Sequence, residues 1–146
     1  MRSFRRFSGD KTLIGVGDAE LVGSVRVINA RNVILKNIRF NGVNASSDLD
    51  ALEVDNSSCV WIDHCEFVDG GDDNLDIVRG SDLVTVSWSK FHYQVKTDSH
   101  RLGSVCGNSN TDWPGRINVT FHHNWWGGGR SPQYAECAAR QGARLQ

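Results

Sequence analysis

NVILKNIRF at 32–40, CVWIDHCEF at 59–67, LVTVSWSKF at 83–91 and NVTFHHNWW at 118–126 are four nine-residue segments that align without a gap. Each carries valine at its second position, namely Val33, Val60, Val84 and Val119. Leu35, Ile62, Val86 and Phe121 stand at the fourth, and Phe40, Phe67, Phe91 and Trp126 at the ninth. The opening alternation is the period of a strand with one buried face. A shorter apolar strand precedes three of the segments, in SVRVI (Val25, Val27), ALEV (Leu52, Val54) and NLDIV (Leu75, Ile77). Asn29–Asn32, Asp55–Ser58 and Arg79–Asp82 separate the members of each pair, and these stretches are rich in the Asn, Asp, Ser and Gly of tight turns. The ninth positions follow one another after 27, 24 and 35 residues. One coil of two or three short strands cannot bury its own apolar face, so repetition at this period implies stacked coils. The expected fold is all-β, a right-handed parallel β-helix forming a single domain over residues 1–146. A β-sandwich is the alternative, opposed by the shared register and by the scarcity of Asn-Gly hairpin turns, Asn41-Gly42 excepted.

The chain's 146 residues suffice for one buried core. Sixteen Lys and Arg against seventeen Asp and Glu leave a net charge of -1, so no bulk positive field is available for nucleic acid. No apolar run is long enough to span a membrane, and the opening MRSFRRFSGD has no signal-peptide pattern, which leaves secretion open. Cys59, Cys65, Cys106 and Cys137 show no CxxC spacing and are expected as buried thiols; a Cys59–Cys65 bridge would need a bend. HYQVKTDSHRLGSVCGNSNTDWPG, after Phe91, is an excursion from the coil of the kind that carries binding residues.

Aspartates gather at the start of two successive coils, Asp48 and Asp50 in SSDLDALEV, then Asp72, Asp73 and Asp76 in GGDDNLDIV. Strand parity puts Asp48 with Asp50 and Asp72 with Asp76, and stacking brings the two sets onto one patch. Such a patch repels itself unless a cation neutralises it, and Ca²⁺ accepts six to eight oxygens. Turn aspartates without a ligand, or an acid and base pair of a glycoside hydrolase, fit the spacing as well. The five histidines have no zinc-site partners at ligand spacing, and Asp63-His64 is expected to be structural. Lys96 and Arg130 follow the third and fourth segments and are placed on the same flank, where two cations beside a metal would suit a polyanionic sugar.

Taken together, KTLIGVG at 11–17, NVILKNIRF, VWIDH at 60–64, DNLDIVRGSDLVTVSWSKF, RINVTFHHNWW and RSPQ, in that order, resemble the calcium-dependent pectate lyases, from about Lys11 to Gln133. The resemblance implies a secreted, monomeric enzyme that cleaves de-esterified polygalacturonate by β-elimination, with no nucleic-acid or membrane partner. It implies Ca²⁺ as cofactor, held by Asp48, Asp50, Asp72 and Asp76, with Asp72 standing where some members use Glu. Lys96 takes the place of a substrate-binding lysine, although Gln94 and Val95 replace the His-Asp pair usual before it. Arg130 matches the first arginine of the RxPxxR pattern and is implied to abstract the proton, a role that rests on the resemblance because arginine is ordinarily always charged. A pectin lyase-like activity, a β-helix hydrolase and a non-catalytic pectate-binding solenoid are the alternatives.

The likeness stops at the end. Ala135 stands where the second arginine belongs, and ECAARQGARLQ resembles no coil. With suitable codons a shifted frame over Ala138–Gln146 spells RLGKVHVY, near the family's continuation. Residues 134–146 are therefore expected to be a non-native or irregular tail, and the chain a member truncated at both ends.

Overall fold

The computed structural model describes residues 5–43, 48–94, 101–107 and 117–127, together with the backbone of 135–137. Its strands group in threes. Arg5–Phe7, Lys11–Ile14 and Glu20–Val22 (β1–β3) form the first coil, and Val25–Ile28, Arg31–Lys36 and Arg39–Asn41 (β4–β6) the second. Leu52–Asp55, Ser58–Asp63 and Glu66–Val68 (β7–β9) and Leu75–Val78, Asp82–Ser87 and Lys90–His92 (β10–β12) follow. Ser104–Cys106, Val119–His122 and Trp125–Trp126 (β13–β15) make the next coil, and Ala135–Cys137 (β16) comes last. Each strand pairs in parallel with its counterpart one coil away, giving sheets ordered β1-β4-β7-β10-β13-β16, β2-β5-β8-β11-β14 and β3-β6-β9-β12-β15. This is the expected β-solenoid, and its all-parallel pairing is foreign to a sandwich of antiparallel sheets.

The register follows the aligned repeats. Val33 pairs with Val60, Val60 with Val84 and Val84 with Val119. Leu35, Ile62, Val86 and Phe121 form the next inward row, all buried. The ninth positions make a column of rings through the core: Phe40 on Phe67 at 5.2 Å, Phe67 on Phe91 at 4.7 Å, and Phe91 on Trp126 at 4.1 Å. In one uninterrupted strand the second, fourth and ninth positions could not share a face. They do so because the sixth position, occupied by Asn37, His64, Trp88 and His123, adopts a left-handed backbone with φ between 49° and 56°. Each nine-residue segment is therefore two strands in two sheets, joined by a corner. The same corner separates Cys59 from Cys65, and both are free thiols; the side chain of Cys137 lies outside the described residues.

Polar ladders complete the turns. Ser57 and Ser81 are buried, and their hydroxyls accept from the backbone amides of Ala30 and Ser57 at 3.0 and 3.1 Å. Bonding of this kind lets turn backbone enter the core without orphaned donors. At the far end β16 pairs with β13, Ser104 opposite Ala135, so the segment expected to be irregular includes a strand. The open edge of a parallel sheet accepts a strand through its backbone alone, which a search for apolar repeats does not detect. No helix among the described residues is long and apolar enough to cross a membrane.

Candidate metal centre

The acidic residues sit where chain arriving from the third sheet turns into the first. Leu52 pairs with Leu75 and Val54 with Ile77, and one step earlier the Ala51 amide donates to the Asp73 carbonyl at 3.1 Å. That register brings Asp50 against Asp73. The Asp73 amide donates to Asp50 Oδ1 at 3.0 Å, so the backbone of one coil holds the carboxylate of the other. Gly70 allows the turn: a Cβ there would fall on the Asp73 carbonyl. The Gly70 amide is capped by Asn74 Oδ1 at 3.0 Å.

Asp50, Asp73 and Asp76 each bring an oxygen into a group whose members all lie within 4.8 Å of one another. Asp50 and Asp73 are buried and Asp76 is half-buried. Of the four sequence candidates, Asp50 and Asp76 stand in this group. Asp48 is exposed, and Asp72 is half-buried beside the group with its amide donating to the Leu49 carbonyl at 3.1 Å. Asp73 is the member of this group that strand parity does not pair with the others. Aligning ALEV with NLDIV on their apolar pairs would have found it, because that alignment sets Asp50 opposite Asp73. Lys96 and Arg130 lie outside the described residues.

Burial, followed by the charge of Asp50 and then Asp73, raises Asp76 well above the ordinary carboxylate range. Burial also raises Asp50; the Asp73 amide opposes this, and the charges of Asp73 and Glu53 add to it. Asp76 Oδ1 is buried and makes no hydrogen bond. The group is thus acceptor-rich, with no cationic side chain bonded to Asp50 or Asp76 among the described residues. Nearby, Glu53 is already held by Arg26 at 2.8 Å and Arg79 at 2.6 Å, and Asp55 by the same two arginines at 2.7 Å. A hard divalent cation fits this donor set: all-oxygen ligands, a surplus of negative charge, and one orphaned buried oxygen. An inverting hydrolase instead separates its two carboxyl groups by about 6.5–9.5 Å to admit water, further than this group allows.

A second cluster closes β8. Asp63, 2% exposed, accepts from Lys36 Nζ and Ser87 Oγ, both at 2.7 Å, and His64 Nδ1 lies 2.8 Å away. Trp61 Nε1 donates to Ser87 Oγ at 3.0 Å. The bonds from Lys36, Ser87 and Trp61 run between neighbouring coils, so Trp61 and Asp63 of VWIDH serve as lateral ties, while His64 contacts Asp63 within its own coil.

The family model described as pectate lyase matches residues 1–132. The chain belongs to the pectate lyase family. It is 40% identical over 129 residues to the pectate trisaccharide-lyase of Thermotoga maritima, covering 80% of this chain and 34% of that protein. It is 33% identical over 132 residues to a pectate lyase of Emericella nidulans, covering 83% of this chain and 38% of that one. A solved point mutant of the Bacillus subtilis pectate lyase superposes with a TM-score of 0.68 at 25% identity, over 86% of this chain and 39% of its own. The chain therefore spans little more than a third of the length of these pectate lyases.

Proposed function

We propose that this chain carries the cation centre of a secreted pectate lyase and cleaves de-esterified polygalacturonate by calcium-dependent β-elimination. The observation that carries this reading is the Asp50, Asp73 and Asp76 group, with its buried, unbonded Asp76 oxygen, in a chain of this family. Asp50, Asp73 and Asp76 would hold Ca²⁺, with Asp48 and Asp72 close enough in sequence to extend the set. Bound Ca²⁺ would neutralise a uronate carboxylate and acidify the proton on the adjacent carbon. Burial of Asp50 and Asp76 keeps water from competing for that charge, and the Asp73 amide fixes the Asp50 carboxylate so that little reorganisation is needed on binding. Lys96 is assigned to pairing with a substrate carboxylate. Arg130 is assigned removal of that proton: the carbon–hydrogen bond breaks, its electron pair forms the new carbon–carbon double bond, and the glycosidic carbon–oxygen bond breaks with its pair on the leaving oxygen. The leaving oxygen takes its proton from water. The product is an unsaturated uronide.

The test is ultraviolet absorbance of unsaturated product from polygalacturonate at alkaline pH, with Ca²⁺ or with chelator, on folded chain. A calcium-dependent rise is expected, abolished by Arg130→Ala while Ca²⁺ binding survives. New reducing ends without that absorbance would replace elimination by hydrolysis. Calcium-dependent binding without turnover would make the chain a pectate-binding module.

A further inference from the structure

Between β12 and β13, in the first part of the stretch that follows Phe91, the chain passes from the fourth coil to the next, and on both sides of this connection it is fastened to the acidic turn. At its departure the Gln94 amide donates to Asp69 Oδ1 at 2.7 Å. The buried Tyr93 turns its hydroxyl to two carbonyls, that of Leu102 at 3.0 Å and that of Asp72 at 3.3 Å. On return the Leu102 amide donates to Asp73 Oδ1 at 2.6 Å, and the Leu102 carbonyl accepts from the Asn74 amide at 3.1 Å. Asp73 therefore joins the acid group to both coils and to the chain at Leu102. Its carboxylate belongs to the acid group, its amide orients Asp50, and its Oδ1 holds the returning chain.

The bond to Leu102 is short and charge-assisted, which places it among the stronger hydrogen bonds. The acid group, by contrast, is self-repelling until a cation enters it. Any displacement of the Asp73 carboxylate under that repulsion is passed to Leu102, and whatever draws the carboxylates together draws Leu102 with them. Linkage makes the effect reciprocal.

We propose that Asp73, braced by Tyr93, is a positioning residue that couples divalent-cation binding in the Asp50, Asp73 and Asp76 group to the anchoring of the chain at Leu102, where it enters the next coil. The proposal rests on reading that group as the calcium site. It gives Tyr93, which donates no ligand oxygen, a role in holding Leu102 against the acidic turn, and it explains why the two share one set of bonds.

Trypsin reads this coupling directly, because Arg101 is a cleavable position whose peptide bond runs into Leu102, and Lys11 is one in another coil. The full chain is digested in Ca²⁺ or in chelator, with Ca²⁺ uptake followed by calorimetry. Ca²⁺ should slow cleavage at Arg101 by about fivefold or more and leave Lys11 within about twofold, because cleavage tracks the population of locally opened chain. Tyr93→Phe, which keeps every carboxylate, should still take up Ca²⁺ but show less than about half of that protection. A wild-type chain that binds Ca²⁺ and is cut equally fast with and without it overturns the coupling. So does equal slowing at Lys11, which would mean global stabilisation. A chain that takes up no Ca²⁺ at all overturns the calcium reading itself, and the coupling with it.

Discussion

Replacing Asp63 with Asn should remove stability that exists at neutral pH and is absent in strong acid. Asp63 ends β8 with its side chain 3% exposed, tied to the coil before it through Lys36 and to the coil after it through Ser87. Burial alone would raise its pKa. The bonds from Lys36, Ser87 and His64 outweigh burial and hold it at about 2, against an ordinary 3.8. At about 1.4 kcal/mol per pH unit that separation is worth about 2.5 kcal/mol. Lys36 and His64 are 41% and 54% exposed, and solvent screening trims the figure to about 1.5–2 kcal/mol. The folded pKa lies below the unfolded one, so the contribution is complete above about pH 4 and is lost as pH falls towards about 2. Urea unfolding followed by circular dichroism, on wild type and Asp63→Asn between about pH 6 and pH 2.5, measures the gap; the aspartates of the acid group titrate in both chains and cancel. A gap that stays constant over that range would refute the reasoning, as would a variant equal to wild type at pH 6.

Two further outcomes follow from the core and the acid group. Phe67→Ala removes a fully buried ring stacked between Phe40 and Phe91, and should cost about 3–5 kcal/mol in the same urea titration. A loss below about 1 kcal/mol would mean that the ring column does not hold the coils together. Asp76→Asn keeps the shape of the site but removes one of three carboxylates, and should weaken Ca²⁺ by about tenfold or more in calorimetry. Because Asp76 is half-buried, crowded by like charge and has an unbonded oxygen, the same variant should be at least as stable as wild type in chelator, and a destabilised calcium-free variant would contradict that account.

The fold was legible because each coil repeats its apolar pairs, and in stacked coils equal sequence position means equal spatial position. Val33, Val60, Val84 and Val119 form a row in space for the same reason that they form a column in the alignment. What the pattern concealed was the corner at Asn37, His64, Trp88 and His123, since left-handed backbone at non-glycine residues has no compositional signature when a His or Trp occupies it. The corner betrays itself only through the change of parity between the fourth position and the ninth.

The acid group was half legible for a related reason. Strand parity relates Asp72 to Asp76, but parity holds only along extended chain, and the strand begins at Leu75. Before it, Gly70 lets the Asp73 carbonyl fold over the turn, and residues there are placed by the register of the neighbouring coil instead. Register carries Asp73, through Leu52 opposite Leu75, to Asp50. The rule that locates the core therefore also locates the acid group, provided it is applied between coils and not along one strand, because Asp50 and Asp73 meet across two coils.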